Sequence, residues 1–214
     1  MKRFVFLFGA LVLLGLAGCG WFGIRGNGNI TTEQRSIQDF SELHAGGAFD
    51  IQWQNGPPGL SITTDENLLR YITVEMEKDS LRLRTRERIL PTHGLKVVVH
   101  SSQRTGAKLT GASQLVAHDL TGNTFAVQTR GAAEVKLDGN VNELLADMTG
   151  ASELTARKLQ TRTAEISTTG AASADLSVSE NLKVSITGAG EVIYHGNPTV
   201  TKHVTGAGEV RRKD

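Results

Sequence analysis

Six histidines, one cysteine and scattered carboxylates are the residues with which this 214-residue chain could do chemistry. His44, His93, His100, His118, His195 and His203 form neither an H-x-x-x-H nor an H-E-x-x-H pattern, so a helical zinc site has no local support. His195 and His203 are expected on adjacent coils as exposed rung residues. Cys19 is the only thiol, which excludes an intramolecular disulfide and a cysteine-based metal cluster. GAKLTGAS at 106–113 has the glycine spacing of a phosphate loop, but Ala112 stands where the lysine would be. GAGEVI at 188–193 lacks the third glycine of a dinucleotide fingerprint, and Gly-x-Ser-x-Gly does not occur. Glycan-cleaving enzymes need acids and bases that converge on one face. Asp119, Asp138, Asp147 and Asp175 occupy unlike places in the repeat described below, which predicts no such cluster. No catalytic residue, metal ligand or cofactor is expected.

What would position these residues is a repeat. TGASQL at Thr110, RGAAEV at Arg130, TGASEL at Thr149, TGAASA at Thr169 and TGAGEV at Thr187 and Thr205 are six copies of one bend. Their glycines, Gly111, Gly131, Gly150, Gly170, Gly188 and Gly206, are spaced 20, 19, 20, 18 and 18 residues apart. Alanine always follows the glycine, then a small residue, and two positions later a mostly branched apolar one. Hydrophobicity alternates with period two on both arms, as in LKVSIT and EVIYH, so both arms are strands. A fixed period that recurs this often predicts a solenoid. Leucine-rich repeats and calcium-binding β-rolls are excluded because their patterns are missing. The fold class expected is all-β, a right-handed parallel β-helix of 18–20-residue coils with an irregular N-terminal β cap. Columns should form along its axis: a hydroxyl ladder of Thr110, Thr149, Thr169, Thr187 and Thr205, and an acidic ladder of Glu134, Glu153, Glu191 and Glu209. Gln114 and Ser173 would fill the neutral rungs of the second. The acidic ladder should face water, as a solvated edge or as a surface for cations or a basic partner.

Before the repeats, FDIQWQN, LSITTD, VEMEKDSLRLRTR and LKVVVH read as strands, with a hairpin turning near Asp79–Ser80. DENLLRYI is the one short helix expected, with Asp65 as its cap. Body aromatics are few (Phe40, Phe49, Trp53, Tyr71, Phe125 and Tyr194), so Val, Leu, Ile, Ala and Thr must build the core.

The chain opens with Lys2 and Arg3, an apolar run from Phe4 to Leu16, then small residues. That is a secretory leader over residues 1–18, its apolar run short for a membrane-spanning helix. LAGC at 16–19 resembles the lipobox of bacterial lipoproteins. The resemblance implies cleavage before Cys19 and acylation, including palmitate, on that residue, so the membrane is a partner through an N-terminal lipid anchor. Two or more acyl chains would hold the protein stably. Gly20 stands where the inner-membrane retention signal of enteric bacteria has Asp, which favours the outer membrane. Residues 19–36 are expected as the lipidated Cys19 and a Gly-rich polar tether, and 37–214 as the folded domain, with repeats from about 105 to 210. Without Lys2 and Arg3 the chain has 21 basic against 22 acidic residues, a balance that gives nucleic acid no field to follow.

The run GGAFDIQWQNG, then ITTDENLLRYITVEMEKDSLRLR, then the GA[SAG] bends and the closing GEVIYHGNPTVTKHVTGAGEV resemble the GIN domain, the family of adhesin heads of unknown function. The likeness covers Ser36 to Val210, and Tyr194–Pro198 is its most specific unit. It implies a secreted or lipid-anchored β-helical envelope protein and provides no catalytic residues. The function expected is a lipid-anchored, non-catalytic scaffold or adhesin-like binding module with an envelope protein or glycan as ligand. The alternative is a carbohydrate-active β-helix enzyme of the envelope.

Overall fold

A computed structural model describes residues 23–213; the leader and Cys19 lie outside the described residues. The fold is a parallel β-solenoid of about five turns of roughly 20 residues, as the repeat predicts. Three walls stack separately. The incoming wall runs through residues 42–47, 106–111, 126–131, 145–150, 165–170, 183–188 and 201–206, all in register. The outgoing wall begins just after each glycine corner, at Asp50, Gln114, Glu134, Glu153, Ser173, Glu191 and Glu209. The stretches that return from one outgoing arm to the next incoming arm are themselves paired: Leu120 with Gly139, Gly139 with Leu159, Val141 with Thr161. Repeats of 18 to 20 residues share one stack because bulges absorb the difference, as at Ala117/Leu120 and Ala156/Gln160.

The core is a set of aliphatic columns. Ile51, Leu115, Val135, Leu154, Ala174 and Val192 lie one above another on the outgoing wall, all buried. Aromatics concentrate at one end, where Trp53 stacks on Phe40 at 5.5 Å and meets Phe125 at 6.2 Å. Its indole nitrogen donates to Ser101 Oγ at 2.9 Å, so this buried donor is satisfied. Among the described residues two core hydroxyls, Thr129 Oγ1 and Thr168 Oγ1, are buried without a partner, each at a cost of about 1–3 kcal/mol.

The first rungs are stacked out of chain order. Strand Glu42–Gly47 lies between Ser80–Thr85 and Gly106–Gly111, and Asp50–Asn55 lies between Lys96–Ser101 and the first repeat strand. The chain therefore builds its second rung first, turns away, and returns to slide a rung beneath it. On that side the rod is covered by antiparallel strands: Gly59–Asp65 on Lys96–Ser101, Ile30–Arg35 on Gly59–Asp65, and Ile72–Glu77 on Ser80–Thr85. The last pair is the hairpin expected near Asp79–Ser80.

Two sequence expectations fail here. Residues 24–35 are strand and turn rather than tether. Ile24–Arg25 pairs with Ile89–Leu90, and ITTEQR alternates exposed and half-buried positions as an edge strand should. Asp65 precedes the helical turn Glu66–Tyr71, a 3₁₀ turn, but makes no cap hydrogen bond. Its fully buried carboxylate instead accepts from Gly28 N at 2.7 Å, Thr92 N at 2.8 Å and Thr92 Oγ1 at 2.8 Å, joining three segments. Burial alone would raise its pKa, but the hydrogen bonds from Thr92 and Gly28 outweigh burial and hold it below the usual aspartate value. Arg35 caps the helical turn from outside, donating to Leu69 O and Ile72 O.

Candidate functional site

The six predicted corner glycines form one continuous column, with Gly47 as a seventh member at its covered end. Each from Gly111 onward has φ between +101° and +120°. A Cβ there would stand 2.4–2.7 Å from the carbonyl oxygen of the glycine one rung before, closer than any real contact. That oxygen is the acceptor for the alanine following the corner, as Ala151 N to Gly131 O at 2.9 Å and Ala171 N to Gly150 O at 2.9 Å. The glycine is thus required twice, by backbone conformation and by the closeness of the neighbouring rung. The small third residue is buried inside the corner: Ser113, Ala133, Ser152 and Ala172.

Both predicted ladders exist. Asp50, Gln114, Glu134, Glu153, Ser173, Glu191 and Glu209 share one column. Its acids are partly matched: Gln114 Nε2 donates to Glu134 at 2.9 Å, Lys136 bonds Glu134 at 2.5 Å, and Arg211 bonds Glu191 at 2.8 Å. A hydrogen bond and charge from Glu134 hold Lys136 above the usual lysine value. Such exposed pairs are screened by water and contribute little to stability.

The hydroxyl ladder lies on the incoming wall and extends further than its threonines. One row runs Arg84, Gly46, Thr110, Arg130, Thr149, Thr169, Thr187, Thr205. Beside it runs Arg82, His44, Lys108, Gln128, Asp147, Ser167, Ser185, His203. This polar face is basic at the covered end and rich in hydroxyls beyond it. Where Arg82, Arg84, His44 and Lys108 meet, a groove of about 360 Å³ opens over Gly46.

Histidine and aspartate do gather at one rung corner, which the sequence reading missed. His118 Nδ1 and Asp138 Oδ2 are 2.5 Å apart, and Asp119 N donates to Asp138 Oδ1 at 2.8 Å. The buried Arg104 donates to the carbonyls of Trp53, His118 and Asp119. Burial lowers the Arg104 pKa, with the charges of Asp119 and Asp138 acting against it. Burial raises and the hydrogen bonds from Asp119 and His118 lower the Asp138 pKa, leaving it below the usual value. The arginine's donors are spent on main-chain carbonyls of a bulged corner where Asp119 has φ +53°, so the cluster is a brace. His195 and His203 are not brought together. His195 is half-buried against Asp175 at 3.0 Å, and His203 belongs to the polar face. Among the described residues no group of three His, Cys, Asp or Glu is placed to hold a metal ion.

A stack of near-identical rungs with long, parallel polar columns defines a β-solenoid whose usable surface is its walls. The chain matches the family described as "Putative auto-transporter adhesin, head GIN domain" over residues 39–198, and it belongs to that family. Similar solved structures include one titled a putative adhesin from Bacteroides fragilis NCTC 9343, with TM-score 0.72, 19% identity, and coverage of 89% of this chain and 100% of that one. Another, titled a putative adhesin from Parabacteroides distasonis ATCC 8503, has TM-score 0.63 and 21% identity over 90% of this chain and 100% of that one. A third, from the same organism and titled a putative lipid binding protein, has TM-score 0.62 and 22% identity over 90% and 100%. At these identities the likeness is one of fold. No curated protein matches the chain.

Proposed function

We propose that the protein is a lipid-anchored envelope protein of bacteria whose solenoid acts, without catalysis, as an adhesin-like binding module. The observation that carries the reading is the unbroken glycine column, which locks the rungs into a stiff rod with repeating walls. A rod of this kind presents a ligand with a long, preorganised surface, which lowers the ordering cost of binding. The family description, an adhesin head, supports binding over turnover. Leu16–Cys19 supports acylation at Cys19, and Gly20 supports an outer-membrane destination.

Expression of the full-length chain with labelled palmitate tests the anchor. Label and membrane retention are both expected to disappear in Cys19→Ser. Retention unchanged in that variant contradicts the anchor. Screening against neutral and acidic glycans should yield saturable binding without product. Turnover would move the protein to the carbohydrate-active alternative.

A further inference from the structure

Gly46 is unlike the corner glycines. Its φ lies outside the left-handed range, and a Cβ there would meet only Arg84 Cγ, at an ordinary 3.9 Å. Nothing in the backbone demands glycine at this strand position. The effect of the missing side chain is the groove between Arg84 and Thr110, with Lys108, His44 and Arg82 along its side.

Its charges are only partly matched. Arg82 pairs with Glu77, and His44 lies 3.4 Å from Glu42. Arg84, Lys108 and Arg130 form no ion pair with the described residues. A second groove farther along the same wall is different: there Lys183 is bound to Glu165 at 2.7 Å.

We infer that the Gly46 groove binds a linear acidic polysaccharide, one carboxylate seated between Arg84 and Lys108 and the chain continuing along the rod past Arg130. The inference rests on the binding-module reading and gives it a ligand class. Arg84 and Arg130 are three strand steps apart, roughly 14 Å, which suits repeating charges on a polymer better than one small anion. An arginine fork favours a carboxylate, and the threonine row beyond Arg130 offers hydroxyls to hydroxyls. A peptide could not add here as a strand, because these strands have neighbours on both edges. A flat anionic membrane is disfavoured by Glu42, Glu75 and Glu77 beside a recessed floor. Asp147, farther along the second row, limits the anionic part of the ligand to the covered end.

Titration of the full-length chain in detergent with an oligogalacturonate, followed by calorimetry, tests this. Saturable binding that weakens with added salt is expected. Arg84→Gln and Lys108→Gln should each weaken it about tenfold. Gly46→Val keeps every charge but fills the floor, and should abolish binding while the thermal transition survives. Lys158→Gln, on another wall, should change nothing. Unaltered binding in the Arg84→Gln/Lys108→Gln double variant overturns the site. So does a preference for phosphatidylglycerol over phosphatidylcholine vesicles that the same double variant abolishes, with no binding of the oligogalacturonate. If a neutral dextran or another glycan binds and these variants leave it unchanged, the site falls and the binding module stands. If the oligogalacturonate binds through these residues and is cleaved, the site stands and the non-catalytic reading falls.

Discussion

The two ends of the rod are finished by opposite means. The first end is covered: strands Gly59–Asp65 and Ile72–Glu77 run antiparallel to the stack, Ile30–Arg35 pairs antiparallel with the first of them, and the Phe40–Trp53–Phe125 cluster fills the space beneath. The second end is bare. Thr199–Gly206 and Glu209–Arg212 pair with the rung before them and with nothing after among the described residues. Val204, whose column partners Ile186, Thr168, Met148 and Thr129 are buried, is 37% exposed. The inward column Leu81, Leu43, Ala107, Val127, Ala146, Ile166, Val184 ends on Lys202. A charge in the core position of the last strand costs that rung little and makes the edge a poor template for another chain. One end is closed by structure and the other by solvation, so the two should differ in stability and in their response to mutation.

The largest effect should come from separating them. Gly150→Ala forces a side chain onto Gly131 O at φ +108°, and should cost about 3 kcal/mol, or roughly 6–12 °C in Tm. Hydrogen exchange should then rise more in the rungs beyond residue 150 than at the covered end. An even loss of protection would contradict the difference between the ends. Asp65→Asn should act next, and locally. Because the folded pKa is lowered, the clasp is fully present above the unfolded aspartate value of about 3.9 and is lost as pH falls through the lower folded value. Protection at residues 26–29 and 90–92 should fall in that acid window in the wild type. In Asp65→Asn it should be low throughout and insensitive to pH; wild-type protection in the variant would contradict the clasp. Lys202→Val should have the smallest effect on unfolding, with concentration-dependent association at the bare end visible by sedimentation. A variant that sediments as the wild type would show that the lysine does not guard the edge.

The bare half of the rod was largely legible from sequence, because each rung follows the last in chain order and the glycine bends count it out. The covered half was not. Gly47-Ala48-Phe49-Asp50-Ile51 is a corner of the same column, but Phe49 stands where the other corners have Ser, Ala or Gly, and its rung is stacked out of chain order. That reordering also hid the groove, since Arg84 and Lys108 become neighbours only when strand 42–47 is slipped between theirs. The Asp119–Asp138 contact was missed for a related reason. The two lie 8 and 7 residues after their glycines, and the bulge at Ala117/Leu120 brings them level. Asp65 looked like a cap because it precedes a helical turn. Its partners Gly28 and Thr92 are 37 and 27 residues away, beyond the reach of local pattern.

Denaturant unfolding of a chain lacking residues 151–170 tests the stacked register most directly. The deletion joins Gly150 to Ala171, restores the corner pattern and removes one whole rung. If the register is what holds the rod, the shortened protein keeps its β-sheet signal and a cooperative transition, with a smaller m-value in proportion to the surface removed. Loss of the sheet signal or of the transition would mean that the rungs are not interchangeable units.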